Sequence, residues 1–367
     1  MLLCALLLQL ALVQPGPDTS FAATPTLLVP AKKAESSWQA PQNFSAWQQQ
    51  QKQRYRAALL WPDDAPATGQ LHHTEERDGY QLEYWQVQLT SQTHSQAIVL
   101  RPARPIGAVL LLHDHGAFFA IGKEKYFRPT DRAQLALAQP WVDKYFSGVF
   151  IGDELARQGY LVLAADSPGF ASRGPISYDQ QQQLAANLLA AGHSLAGLAA
   201  YEDMQLAGFL RQQLHNASQP IISLGFSMGA FRAWQVAALS DHVNAAVAAC
   251  WFNSWPALLS SGSNLAKGQS SFYFLHPGLN SQLDIADLVS LAAPKPLYLL
   301  NGGQDPLMPA DAVLKGYHQL KQAWQQAGAA EKLRTELWTE AKHEFHLAQQ
   351  QQVWAWLREL QATKPSR

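Results

Sequence analysis

The sequence predicts an α/β fold in which a mostly parallel sheet is covered on both faces by helices. Apolar runs of strand length recur from residue 97 onward and stop at Gly, Asp or Ser. Stretches with helical spacing separate these runs, as crossover connections between parallel strands require. With 367 residues, 47% of them apolar, the chain can bury a sheet of that kind.

Taken in order, "MLLCALLLQLALV" is an apolar run of signal-peptide length, too short to span a bilayer, and Ser20-Phe21-Ala22 offers a small-x-small cleavage site. Residues 1–22 are therefore expected to be a signal peptide, although no Lys or Arg precedes the apolar run. A buried N-terminal helix is the alternative. The mature protein is expected to be periplasmic or secreted, with no stable membrane insertion. Cys4 would leave with the signal, and Cys250 alone cannot form an intrachain disulfide.

Residues 23–75 read as an N-terminal extension. Within it "NFSAWQQQQKQRYRAALL" (43–60) predicts a helix capped at Asn43 or Ser45 and stopped before Trp61-Pro62. Residues 76–367 read as one α/β domain. "YQLEYWQVQLT" alternates as a half-buried strand, "AIVLRP" is a second strand, and "GAVLLLHDHG" is a continuous apolar strand with a polar end. "YLVLAADSPG", "PIISLGFSMG", "AAVAACWF" and "KPLYLLNGGQD" follow the same pattern, with helices such as 194–214 and 230–240 between them. Two inserted segments are expected, near 117–150 and 255–285. Short glutamine runs at 48–51, 180–183 and 349–352 read as surface decoration. A formal net charge of −1 gives none of the bias that nucleic acid or an anionic membrane surface would select.

In sheets of this kind ligands gather at the carboxyl ends of strands, and the polar clusters here fall at such ends. Gly225-Phe226-Ser227-Met228-Gly229 fits G-x-S-x-G, a strained strand-to-helix turn that exposes a serine hydroxyl. Glycines are needed there because side chains would collide with the neighbouring strand and helix. The Met228 N–H, at the positive end of the helix, is placed to meet an oxyanion. A serine hydroxyl needs a base to attack. Asp305 ends an apolar strand in a Gly-Gly turn, and His343 lies in a loop before the last helix, so the chain order is Ser, Asp, His. Asp305 would hold the imidazole tautomer. His346 competes with His343 as base, and Glu336 or Glu340 with Asp305 as acid. Capping the helix after Pro309 is the plainer role for Asp305.

His113-Asp114-His115-Gly116 closes the "GAVLLL" strand. The second oxyanion donor is expected there, the His115 N–H first and the Gly116 N–H second. His-x-His can also bind zinc, but no further ligand cluster follows it in sequence, so no metal is expected. Asp166 in "AADSPGF" is expected to fix its loop rather than to react.

With these residues in place, the chain from about 80 to 360 resembles the α/β-hydrolase superfamily. Within it, "LLLHDHG", "YLVLAADSPGFASRG", "LGFSMGAFRAW", "NGGQDPLMP" and "AKHEF" look most like dienelactone-hydrolase and acetyl-xylan-esterase-like bacterial hydrolases. The resemblance implies Ser227 as nucleophile, Asp305 as acid, His343 as base and no cofactor. It departs from dienelactone hydrolases proper, which are compact, cytosolic and use cysteine. "HDHG" also replaces the more common His-Gly pair. The implied activity is hydrolysis of carboxylic esters, with small-molecule or carbohydrate esters as substrates. A serine peptidase or amidase of the same fold, or a binding protein on a hydrolase scaffold, is the alternative. The aromatic residues of the two inserted segments would suit sugar stacking or the packing of a lid equally well.

Overall fold

A computed structural model describes residues 41–62, 65–259 and 269–362. The expected signal peptide, and residues 260–268 of the second expected insertion, lie outside the described residues.

Helix α1 (Phe44–Ala58) starts where the Asn43 side chain accepts the Ala46 N–H at 3.0 Å, so Asn43 rather than Ser45 is the cap. Next come β1 (Thr68–Arg77), β2 (Tyr80–Gln88), β3 (His94–Arg101) and β4 (Gly107–Leu112). Helices α2 (Arg132–Phe146) and α3 (Ile151–Arg157) lead into β5 (Tyr160–Ala165), and α4 (Tyr178–Ala190) and α5 (Leu195–Gln212) into β6 (Ile221–Phe226). Then follow α6 (Met228–Leu239), β7 (Ala245–Ala249), α7 (Ile285–Ser290), β8 (Leu297–Gly302), α8 (Ala310–Gln326), β9 (Leu333–Trp338) and α9 (Leu347–Ala362).

The sheet order is β1-β2-β3-β5-β4-β6-β7-β8-β9. The pairings from β1 to β5 are antiparallel, and those from β5 through β9 are parallel. β4 through β8 are buried along their whole length, which explains their unbroken apolar sequences. Alternate residues feed separate cores. Leu110 and Leu112 join α1, α5, α6 and α8 on one face, while Val109 and Leu111 join α2, α3 and α9 on the other. Burying each such side chain is worth about 1.5–3 kcal/mol.

Strand β1 was not expected. Its ten residues, "TGQLHHTEER", are almost all exposed, so neither face carries an apolar alternation. It forms a polar sheet edge with a register shift between Leu71 and His73.

The glutamine runs are not surface decoration, because each has members turned inward. Gln51, Gln181, Gln349 and Gln350 are buried. The Gln350 Nε2 donates to the carbonyls of Phe146 (2.9 Å) and Phe345 (2.6 Å). A run of four residues spans more than one helical turn, so on a helix packed against the core part of it faces inward. Gln350 Nε2 is paired there, while Gln350 Oε1 and Gln349 Nε2 have no hydrogen-bond partner among the described residues.

Candidate active site

Chain order reverses around β4, which pairs with β5 on one side and β6 on the other. The carboxyl ends of β4 and β6 therefore lie together, with Leu112 opposite Gly225.

After β6 the chain turns sharply at Ser227, whose φ of 55° and ψ of −128° make a conformation rarely taken by residues with a side chain. The two glycines of the pentapeptide permit the turn. A Cβ on Gly225 would sit 2.1 Å from the Gly229 carbonyl oxygen, and one on Gly229 would sit 1.7 Å from the Leu112 carbonyl oxygen. Met228 opens α6, so its N–H belongs to the first turn, which has no intrahelical acceptor.

Two more strand ends supply the partners. Beyond β8, Gly302 and Gly303 let the chain lie against the loop after β9, since a Cβ on Gly302 would meet the Lys342 carbonyl oxygen at 2.2 Å. The Gly303 and Gln304 N–H groups donate to the Trp338 and Ala341 carbonyls at 2.7 and 2.9 Å. The Asp305 side chain has no exposed surface and accepts the Leu307 N–H (2.9 Å). His343 Nδ1–H donates to Asp305 Oδ2 at 2.7 Å, and His343 Nε2 accepts the Ser227 hydroxyl at 2.9 Å. A carboxylate cannot donate, which assigns this tautomer. Two bonds anchor the chain just past His343. The Phe345 N–H donates to the Tyr145 carbonyl (2.9 Å), and the buried Cys250 thiol donates to the Glu344 carbonyl (3.2 Å). Burial pushes the Cys250 thiol's pKa up and keeps it protonated.

The alternative residues are occupied elsewhere. His346 packs its ring on Trp338 at 5.3 Å and accepts the Gln349 N–H. Glu336 accepts from Tyr298, Arg334 and Trp338, and Glu340 from Gln304.

The loop after β4 is built differently. Ser167 N–H donates to His113 Nε2 (3.0 Å), leaving Nδ1–H to donate to the Asp114 carbonyl (2.9 Å). Ala117 N–H donates to His115 Nδ1 (3.0 Å), leaving Nε2–H for Gln181 Oε1 (3.0 Å). Both rings are buried and neutral: burial pushes His115 down to about 4 and His113 well below the ordinary histidine range. With all four ring nitrogens bonded to protein, this His-x-His pair presents no free metal ligand. Among the described residues no group of three or more His, Cys, Asp or Glu side chains could hold a metal ion. Gly116 takes φ +55°, and a Cβ there would lie 1.9 Å from the Trp141 ring. Neither the His115 nor the Gly116 N–H donates to a backbone carbonyl among the described residues.

Sequence reading missed the charged layer beneath this loop. Lys123, Glu124 and Lys125 form one buried 3-10 turn. Asp166 receives the Lys123 N–H (2.9 Å), the Lys123 Nζ (2.7 Å) and the Ser172 hydroxyl (2.6 Å), so it fixes its own loop as expected. Lys125 Nζ donates to the Asp114 carbonyl at 2.9 Å and to its carboxylate at 3.1 Å. Arg232, five residues past Ser227, makes a bidentate pair with Asp203 (2.8 and 2.6 Å) and reaches the His113 carbonyl (3.2 Å). The only sequence signal was the run of three charges, "KEK", placed between aromatic residues.

The Abhydrolase family profile matches residues 28–355. YtaP of Bacillus subtilis (strain 168), described as a candidate hydrolase, is 27% identical over 286 residues, 77% of this chain and 89% of that protein. A Bacteroides fragilis crystal structure described as a candidate acetyl xylan esterase has a TM-score of 0.72 at 19% identity, covering 93% of this chain and 95% of that one. A glucuronoyl esterase from Solibacter usitatus has a TM-score of 0.61 at 12% identity, covering 89% of this chain and 99% of that one. At such identities the structures speak for the fold, and the profile speaks for descent. The resemblance drawn from the motifs holds, and the chain belongs to the Abhydrolase family of α/β-hydrolases.

Proposed function

We propose that the protein is a serine hydrolase of carboxylic esters, with Ser227 as nucleophile, His343 as base and Asp305 as the acid that orients it. One observation carries the reading: an unbroken hydrogen-bond chain from a buried carboxylate through an imidazole to a hydroxyl on a strained turn. Ser227 Oγ attacks the ester carbonyl while His343 Nε2 takes its proton. The Met228 N–H and the His115 N–H hold the tetrahedral oxyanion. His343 then returns the proton to the departing alcohol, leaving an acyl group on Ser227. Water, deprotonated by His343, attacks this acyl-enzyme and releases the carboxylic acid and the free serine.

Short acyl esters on carbohydrates are the proposed substrates, supported by the likeness to acetyl xylan and glucuronoyl esterases. The N-terminal apolar run supports export to the periplasm or medium. The test is turnover of p-nitrophenyl acetate and acetylated xylan by wild type and Ser227→Ala. The variant should lose on the order of 10⁶-fold in kcat. Equal rates for both would sink the proposal, and activity confined to amide substrates would move it to the peptidases.

A further inference from the structure

We propose that Lys125 is a positioning residue for the oxyanion site, aiming and polarising the Asp114–His115 peptide from below. The inference rests on the serine-hydrolase reading given above.

The Asp114 carbonyl and the His115 N–H belong to one trans-planar unit, so they point in opposite directions. That carbonyl receives two donors, Lys125 Nζ and His113 Nδ1, each at 2.9 Å. With the carbonyl pinned from one side, the N–H must face the other. A donor on the carbonyl also strengthens the N–H of the same peptide, and a cationic donor does so more than a neutral one. The His115 N–H has no backbone acceptor among the described residues, so it is free to receive a developing negative charge.

The ammonium has few other ways to be satisfied. The Lys125 side chain has no exposed surface, and burial lowers its pKa against the opposing pull of Asp114. It lies 4.4 Å from the centroid of the Trp141 ring, the ring that also fills the space a Gly116 side chain would take. Asp114 Oδ1 has no partner, which leaves Lys125 as the ion that balances the Asp114 charge. Lys125 and Trp141 both come from the 117–150 segment. That segment therefore acts beneath the oxyanion loop, and not only at the rim of a pocket.

The test compares Lys125→Met, Lys125→Arg and the double variant Lys125→Met/Asp114→Asn with wild type. Removing one partner of a buried pair destabilises the fold, so the double variant removes both charges together and keeps the shape. Esterase kinetics are read together with the affinity for phenylboronic acid, whose serine adduct mimics the tetrahedral oxyanion. The expected result is a fall of about 10²-fold in kcat with KM within about twofold, a parallel fall in boronate affinity, and partial recovery in Lys125→Arg. A folded double variant with wild-type kcat, or a fall in kcat without loss of boronate affinity, overturns the inference. Ser227→Ala is assayed alongside. If it stays active the reading of the site has failed, whereas an inert Ser227→Ala beside a fully active double variant rejects the Lys125 role alone.

Discussion

The turn after β6 and the loop after β4 lie side by side at the centre of the sheet, yet they are held by different means. At Ser227 the constraint is steric: two glycines let backbone segments approach so closely that no side chain would fit. Around His113–Gly116 it is electrostatic: Lys125 and Arg232 reach the loop from separate elements, and Ser167 and Gln181 bond its two neutral imidazoles. A constraint from local backbone crowding is written in a few adjacent letters. One from buried charge depends on partners that only the fold brings together.

The largest effect is expected from Asp305→Asn, which keeps the shape but lets the imidazole settle in the wrong tautomer. The kcat should fall about 10⁴-fold with little change in melting temperature. A loss under tenfold would mean that another group orients His343. Next, Gly229→Ala drives a methyl into the Leu112 carbonyl and should cost more than about 4 kcal/mol of unfolding free energy in urea titration. Gly79→Ala, where nothing lies within 4 Å of the new Cβ but φ is +88°, should cost only about 1–2 kcal/mol. Similar costs at both sites would remove the steric half of the comparison.

On the electrostatic side, Arg232→Met strands the buried Asp203 carboxylate and should cost about 3–5 kcal/mol, while Arg232→Met/Asp203→Leu should recover most of it. A smaller effect is the response to acid. His115, held near 4, and His276, held near 3, both by burial, are neutral in the folded protein, whereas the unfolded chain protonates near 6.5. The folded pKa values are depressed, so this stability is present above about pH 6.5 and is lost as pH falls towards 4. The slope should approach about 1.4 kcal/mol per pH unit for each histidine. Urea midpoints at pH 7 and pH 5 measure it, and equal midpoints would contradict the neutral assignment.

The same division explains what could be read from the sequence. The sheet was legible because β4 through β8 are apolar along their whole length. Ser227 and Asp305 stood out as polar residues just past such strands, and His343 as a histidine following them in the loop before the last helix. Strand β1 was not legible, because an exposed edge needs no apolar face. Lys123 and Lys125 look like solvent-facing charges, and their carboxylate partners Asp166 and Asp114 lie 43 and 11 residues away. Gln181 looked like one of four equivalent amides until the fold placed it against His115.

The bonds between α2 and the histidine loop have a mechanical consequence. The carbonyls of Tyr145 and Phe146, at the end of α2, receive Phe345 N–H and Gln350 Nε2, while Trp141 in the same helix lies against Gly116. If α2 swung outward as a door, it would drag His343 away from Ser227 and unseat the loop after β4 in one movement. Helix α2, the chain just past His343 and the loop after β4 are thus tied into one unit.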